Sequence, residues 1–258
     1  MERKFFFFDI DNTLAVWPNG NIPDSAQYCL DELKRQGHRV ALATGRIQMD
    51  AQRFADKAGL VDFVADGGHS VTVDNKLISM IGMNRDMCID YLEYLESKQI
   101  PWAVTDRNHL GRITPYKEIL EWHHDWDVFK THVDPDFDFH SVEDFYKIYV
   151  FFKDGEEEEK DIEHMTHKLI RYGEGCVLYE PMEKALGIHK MIEHFGMEPS
   201  QVVVFGDGYN DLSMFRPEWF NIAMGNARPE LKLEADYVTT DCDKDGIYNA
   251  CKHFCWIK

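Results

Sequence analysis

Basic residues are scarce in this chain: 28 lysines and arginines stand against 46 aspartates and glutamates among 258 residues, a formal net charge of −18. Such a surface repels nucleic-acid backbones and anionic membranes, so no nucleic acid and no membrane is expected as a partner, and any bound phosphate must be drawn by local charge. No apolar stretch approaches the length of a membrane span. Cys-x-x-Cys spacing is missing as well: Cys29, Cys88, Cys176, Cys242, Cys251 and Cys255 are scattered singly. This disfavours zinc ligation and disulfides and favours reduced core thiols, with helical phase burying Cys251 beside Ile247, Ala250 and Phe254. The start, Met1-Glu2-Arg3-Lys4-Phe5, carries no cleavage-site pattern, and a cytoplasmic address is expected. Twelve histidines include the neighbours His123 and His124, whose side chains must point apart, so a histidine metal cluster is not expected.

What is present begins at Phe5-Phe6-Phe7-Phe8, an apolar run stopped by Asp9-Ile10-Asp11-Asn12-Thr13. It reads as a buried strand with two acids at its carboxyl end, where open α/β sheets place their ligands. Crowded carboxylates repel, so a divalent metal or a shared proton is implied; alone, the pattern also fits acids that cap a turn. The same grammar recurs at Val202-Val203-Val204-Phe205 followed by Gly206-Asp207-Gly208-Tyr209-Asn210-Asp211, with helix-like Leu212 to Phe215 behind it. Oxygen ligands of this kind suit a hard cation such as Mg²⁺. Between them, the strand Arg39 to Ala43 ends in Thr44-Gly45-Arg46 before a helical stretch, a combination of amides, hydroxyl and guanidinium that can cradle phosphate. Lys184 opens a helix to Phe195, with Ile188, Met191, Ile192 and Phe195 on one face and Gly196 closing it. A cation there opposes the macrodipole, so Lys184 is either solvated or offset by an anion.

These residues together resemble the haloacid dehalogenase superfamily of phosphohydrolases: Asp9-x-Asp11-x-Thr13 looks like its first motif, Thr44 its second, Lys184 its third and Gly206 to Asp211 its fourth. Within it, Thr44-Gly45-Arg46, Asn210-Asp211, Met224-Gly225-Asn226-Ala227 and Ala235-Asp236-Tyr237-Val238 resemble the Cof-type sugar-phosphate phosphatases. Asp66-Gly67-Gly68 departs from the Asn-Gly-Ala usual in those proteins, which puts a substrate contact near Asp66 in doubt. The resemblance implies Asp9 as nucleophile and Asp11 as acid and base. It implies Mg²⁺ on Asp9, Asp207 and the backbone carbonyl of Asp11, with Asp211 in or behind that shell. Thr44 and Lys184 would bind the transferring phosphoryl group, with Gly45, Arg46, Asn210 and Asn226 near the substrate.

Spacing locates a second domain. The 33 positions from Asp11 to Thr44 hold a turn near Asn19-Gly20, a helix from about Ser25 to Gln36 and a strand; the 140 from Thr44 to Lys184 leave about a hundred unused. The expected fold class is α/β, a doubly wound, mostly parallel, Rossmann-like core with an inserted α+β cap: residues 1–82 core, 83–181 cap, 182–258 core. In the cap, strands are expected at Trp102 to Thr105, Tyr146 to Phe152 and Cys176 to Tyr179. A helix is expected from about Glu156 to Tyr172, with Ile162, Met165 and Leu169 on one face. Residues 116–140 show no clear period. Selectivity is expected from cap residues such as Trp102, Asp106, Arg107, His109, Arg112 or Tyr116, although the polar stretch Thr105 to His109 also suits a plain surface loop.

The expected activity is Mg²⁺-dependent hydrolysis of a small phosphorylated metabolite, a sugar phosphate or similar, through an aspartyl-phosphate. A phosphotransferase or phosphomutase would use the same nucleophile. A non-catalytic metal- or phosphate-binding regulator would be expected to have lost Asp9, Asp11, Lys184 or Asp207, and all four are present.

Overall fold

The computed structural model describes residues 2–123, 125, 128–153, 162, 169–173 and 175–258. It divides into two compact units, Met1–Met80 with Met182–Lys258, and Ile81–Pro181. In chain order the larger unit opens with β1 (Phe5–Phe8), α1 (Asp24–Arg35), β2 (Arg39–Ala43), α2 (Gln48–Ala58), β3 (Phe63–Ala65), β4 (Ser70–Val73) and β5 (Lys76–Met80). The smaller unit follows with α3 (Arg85–Ser97), β6 (Trp102–Thr105), β7 (Gly111–Thr114), α4 (Ile119–Trp122), β8 (Lys130–Val133), β9 (Lys147–Phe151), β10 (Leu169–Gly173) and β11 (Cys176–Tyr179). The larger unit resumes with α5 (Lys184–His194), β12 (Val202–Gly206), β13 (Phe220–Ala223), α6 (Pro229–Leu233), β14 (Tyr237–Val238) and α7 (Gly246–His253).

The larger sheet runs in the order β14-β13-β12-β1-β2-β3-β4-β5, parallel from β14 to β3 and antiparallel beyond. The chain leaves β1 in one direction to β2 and β3, then returns to the other side of β1 as β12. That reversal makes the β1/β12 border a topological switch point, where the carboxyl ends of parallel strands open a crevice. Side chains on β1 alternate between the two helical layers: Phe5 stacks on Phe7 with ring centroids 4.3 Å apart, while Phe6 and Phe8 meet Trp256 and Phe205. All four rings are fully buried, each contributing on the order of 1.5–3 kcal/mol of transfer free energy. They hold rigid the strand that ends in Asp9. The β4–β5 hairpin turns at Asp74 and Asn75, both at positive φ, the backbone that a two-residue type I′ turn requires.

The smaller sheet is ordered β10-β11-β9-β6-β7-β8. One face carries Trp102, Val104, Ile148, Val150 and Val177 in a core with Leu92 and Leu95 of α3; the other carries Ala103, Tyr149, Phe151, Cys176 and Leu178 in a second cluster. The helix expected from 156 to 172 does not extend to its end: Leu169–Gly173 is strand β10, paired antiparallel with β11. The alternation Leu169, Ile170, Arg171, Tyr172 places Ile170 and Tyr172 together on the second face, and that period of two prevails over the i, i+3, i+7 pattern read from Ile162. Of that expected helix, residues 156–161 and 163–168 lie outside the described residues, as does His124. Between 116 and 140, where the sequence shows no clear period, the structure has the single turn of α4, β8 and a 3₁₀ turn at Phe139–Ser141. Among the described residues no helix is long and apolar enough to cross a membrane.

Five cysteines are buried and Cys255 is exposed; all are free thiols. Ile247, Ala250 and Cys251 share the buried face of α7, with Phe254 half-buried beside them.

Candidate active site

Three strand ends build the site. β1 and β12 run parallel with Phe8 opposite Phe205, so Asp9 and Asp207 leave the sheet side by side, and Thr44 leaves β2 on the far side of β1. Asp211 follows on a 3₁₀ turn, Tyr209–Met214, which takes in most of the helix-like stretch expected from Leu212 to Phe215. One oxygen from each of Asp9, Asp207 and Asp211 lies within 4.8 Å of the others. The Asp211 carboxylate is locked in place because its Oδ2 accepts from the amides of Asp207, 2.9 Å, and Gly208, 2.8 Å. Gly206 permits that approach: a Cβ there would sit 2.8 Å from the Asp211 carboxyl group.

Lys184 enters from the first turn of α5 and is fully buried. Its Nζ donates to Asp9 Oδ1 at 2.6 Å and to Asp211 Oδ1 at 2.5 Å, so of the two readings of a lysine at a helix start, the anion-offset one holds. Burial alone would discharge the amine, but the charges of Asp211 and Asp9 outweigh it and hold its pKa above the usual lysine value. The start of α5 is fixed by Lys184 N donating to Ser213 Oγ and by Glu183 N donating to Gly67 O. Gly68 makes this contact possible: it adopts φ +110, and a Cβ would lie 2.0 Å from the Glu183 carbonyl oxygen. Ser213 carries no motif signal that would have nominated it, whereas Gly68 stands in Asp66-Gly67-Gly68, the stretch that departs from the family's usual Asn-Gly-Ala; Thr13, which donates to Asp207 Oδ1 at 2.9 Å, sits within the first motif.

Charge in this cluster does not balance. Three carboxylates face one lysine, and burial followed by the charge of Asp211 drives Asp9 well above the ordinary carboxylate range, with Lys184 opposing. Asp207 is pushed up to about 7, again by burial first and Asp211 second, against the Thr13 hydrogen bond. An all-oxygen, net-negative pocket of this kind fits a hard divalent cation, which would relieve both shifts. Asp11 does not join the carboxylate cluster.

Asp11 instead meets Arg46. The guanidinium donates to both Asp11 oxygens and, through Nη1, to Asp50 Oδ2, so each of its nitrogens faces a carboxylate. Thr44 is buried and its Oγ1 accepts from Arg46 N at 3.1 Å; Gly45 is half-buried between them. Asp66, where a substrate contact was in doubt, serves the start of α2: its Oδ2 accepts from Gln48 N at 3.1 Å and from Ser70 Oγ at 2.6 Å. That takes up one of the helix amides expected to face the strand end. Asn226, expected near substrate, spends both amide atoms on backbone, donating to Asn12 O at 2.9 Å and accepting from Cys242 N at 2.8 Å. It ties the loop after β13 to the loop after β1. Asn210 lies half-buried on the turn beside Asp211.

A crowded acidic cluster with a buried lysine, at the switch point of a doubly wound sheet, defines a phosphoryl-transfer enzyme of the α/β class. The chain belongs to the haloacid dehalogenase-like hydrolases, whose family profile matches residues 6–251, and it is a phosphatase of that superfamily. It is 31% identical over 262 residues to YkrA of Bacillus subtilis (strain 168), across 100% of both chains; that protein's name ascribes it phosphatase activity without a substrate. From the same organism, the 5-amino-6-(5-phospho-D-ribitylamino)uracil phosphatase YwtE is 26% identical over 244 residues, covering 82% of this chain and 84% of YwtE. Among solved structures, the subclass IIB sugar phosphatase BT4131 matches with a TM-score of 0.78 at 27% identity, over 98% of this chain and 100% of that one.

Proposed function

We propose that this phosphatase hydrolyses a small phosphorylated metabolite, a sugar phosphate or similar, through an aspartyl-phosphate on Asp9, with Mg²⁺ as cofactor and the cytoplasm as its compartment. The observation that carries the reading is the Asp9 carboxylate itself, fixed by Lys184 at one oxygen and flanked by Asp207 and Asp211. Asp9, Asp207 and Asp211 would hold the metal, with the Asp11 carbonyl beside them. Bound there, Mg²⁺ neutralises charge so that an anionic carboxylate can meet an anionic phosphate.

The residues of the chain supply the rest. Asp9 attacks phosphorus and splits one displacement into two. Lys184 Nζ spends two of its three N–H groups on Asp9 and Asp211, leaving the third for a phosphoryl oxygen. Thr44 Oγ1 accepts from Arg46 N, so its own O–H is free to donate to a second such oxygen. Asp11 protonates the leaving oxygen and then takes a proton from the attacking water. Gly45, Arg46 and Asn210 border the phosphate. The residues 83–181, the proposed cap, select the ester. The named activity of YwtE on a phosphorylated ribityl compound and the description of BT4131 as a sugar phosphatase support a polyol or sugar leaving group.

The test is phosphate release from a panel of phosphorylated metabolites by the wild type and by Asp9→Asn. Turnover should vanish in the variant with its fold intact, and a rapid quench of the wild type during turnover of a ³²P-labelled ester should trap the label on Asp9 as a hydroxylamine-labile acyl phosphate. Wild-type-like turnover by purified Asp9→Asn would sink the mechanism.

A further inference from the structure

In the smaller unit, a guanidinium is buried with no anion beside it among the described residues. Arg112 on β7 is 4% exposed, and its carbon lies over three rings: Phe151 at 4.8 Å, Tyr149 at 5.0 Å and Phe129 at 5.7 Å from their centroids. Its Nε donates to Thr131 Oγ1 at 2.9 Å. Among the described residues neither Nη takes a hydrogen-bond acceptor and no carboxylate stands within ion-pair distance. Asp125, the nearby acid, is satisfied by Thr131, whose amide and hydroxyl donate to it.

Strand register sets this arginine in a row. Val104 pairs with Ile113 and Ile148 with Tyr179, while Thr105 pairs with Lys147. One step along, Arg112, Thr105, Lys147 and Glu180 therefore line up across four adjacent strands on the same face as Tyr149. Lys147 and Glu180, both buried, form an ion pair and cancel each other, so Arg112 leaves the row with one uncompensated positive charge. Taking an ion out of water with its donors unmatched costs several kcal/mol, and the three rings offset only a part of that. A planar fork of N–H groups held among aromatic rings is the arrangement that receives a carboxylate or phosphate at two oxygens.

We infer that the Arg112 row is an anion-binding subsite that takes a carboxylate or phosphate group of a ligand. Two sources share that chemistry: a second anionic group on the substrate itself, in which case the inference rests on the proposed phosphatase reading, and a separate small anion that binds the unit as an effector.

The experiment uses the full chain and matched esters that differ by one anionic group, glycerol phosphate against phosphoglycerate and a hexose phosphate against the corresponding phosphorylated sugar acid. If the substrate supplies the anion, wild-type kcat/KM favours the doubly anionic ester by on the order of ten- to a hundredfold, the worth of one hydrogen-bonded ion pair. Arg112→Met, which keeps the stem among the rings, collapses that ratio toward one, and Arg112→Lys restores part of it. If a separate anion is the ligand, the ratio is flat in the wild type, but sulfate or malonate binds with one-to-one stoichiometry by calorimetry and raises Tm; in Arg112→Met it does neither. A flat ratio together with no saturable anion binding by the wild type overturns the inference, whatever the variants do. Hydrolysis of a generic aryl phosphate separates the two readings. If it is retained while both anion tests fail, the subsite falls alone; if no ester is hydrolysed but sulfate binds through Arg112, the phosphatase reading falls and the subsite stands.

Discussion

Arg46 grips Asp11 at both oxygens, Nη2 to Oδ1 at 2.7 Å and Nε to Oδ2 at 3.1 Å, while its third nitrogen reaches Asp50 Oδ2 at 3.1 Å. The pair is only partly exposed, 24% for the arginine and 35% for the aspartate. The residue proposed to give and take a proton is thus gripped by a permanent cation, which fixes where its oxygens point.

Arg46→Met should therefore misplace the acid more than it weakens phosphate binding. The expected outcome is a loss in kcat of about 10² for alkyl phosphates, whose leaving oxygen needs a proton, and a loss of less than about tenfold for a nitrophenyl ester, whose leaving group does not. Asp11→Asn should show the same contrast at on the order of 10² to 10⁴. Equal losses on both ester classes in Arg46→Met would assign the arginine to the phosphate.

The acidic cluster makes stability depend on pH in a direction opposite to that of an ordinary salt-bridged acid. Asp207 titrates near 7 in the fold but near 3.9 in an unfolded chain. Between those values the folded protein keeps a proton that the unfolded chain releases, so stability is present below about pH 4 and drains away as pH rises through 7. In chelator, Tm should fall over that range by the equivalent of a few kcal/mol at most, at about 1.4 kcal/mol per unit. Mg²⁺ should restore it, with a larger increment at pH 8 than at pH 5. Parallel Tm curves with and without Mg²⁺ would remove the cation from this cluster.

Gly68→Ala tests how Lys184 is delivered. A methyl group would lie 2.0 Å from a backbone oxygen that no rotamer can move, at a φ that side chains rarely adopt. The expected cost exceeds the ordinary 1 kcal/mol of a left-handed alanine and displaces the start of α5, lowering both Tm and kcat. Gly37, at φ +87 with open space around it, is the control: its alanine variant should lose stability and keep kcat.

Asn226→Ala should behave as a structural change. It removes one bond to Asn12 O and one to Cys242 N, worth about 1–3 kcal/mol together. Tm should drop while KM stays within about twofold, and a KM effect of tenfold or more would return Asn226 to the substrate.

The strands that carry chemistry were the most legible part of the sequence. Phe5 to Phe8, Arg39 to Ala43 and Val202 onward are short apolar runs ended by acids or a hydroxyl, and burial on both faces demands that composition. From them follows the placement of Asp9, Thr44 and Asp207 at one edge; that Lys184 meets Asp9 and Asp211 there was left open, since a lysine at a helix start can equally be solvated. The pairing of Arg46 with Asp11 was not legible, because a guanidinium beside a strand end has equal chemical reason to seek phosphate or carboxylate. The hold of Asn226 on backbone was hidden for the same reason: an amide in a loop next to the site offers the same donors to backbone as to substrate. Strand β10 was missed because Leu169 also fits the helical period counted from Ile162, while the partner that makes Leu169–Gly173 extended, β11, declares itself only through cross-strand pairing.

Lys184 and Asp9 stand 175 positions apart in the chain, and Thr13 and Asp207 stand 194 apart. Contacts of such separation close late, since long loops must be ordered before they are rewarded. A chain emerging from the ribosome can lay down Asp9 and Thr44 and complete most of the small sheet with no lysine to neutralise the first carboxylate. On the proposed mechanism catalytic competence thus arrives only with the last fifth of synthesis, and a truncated product that stops before Asp207 is chemically silent however well its earlier segments have folded.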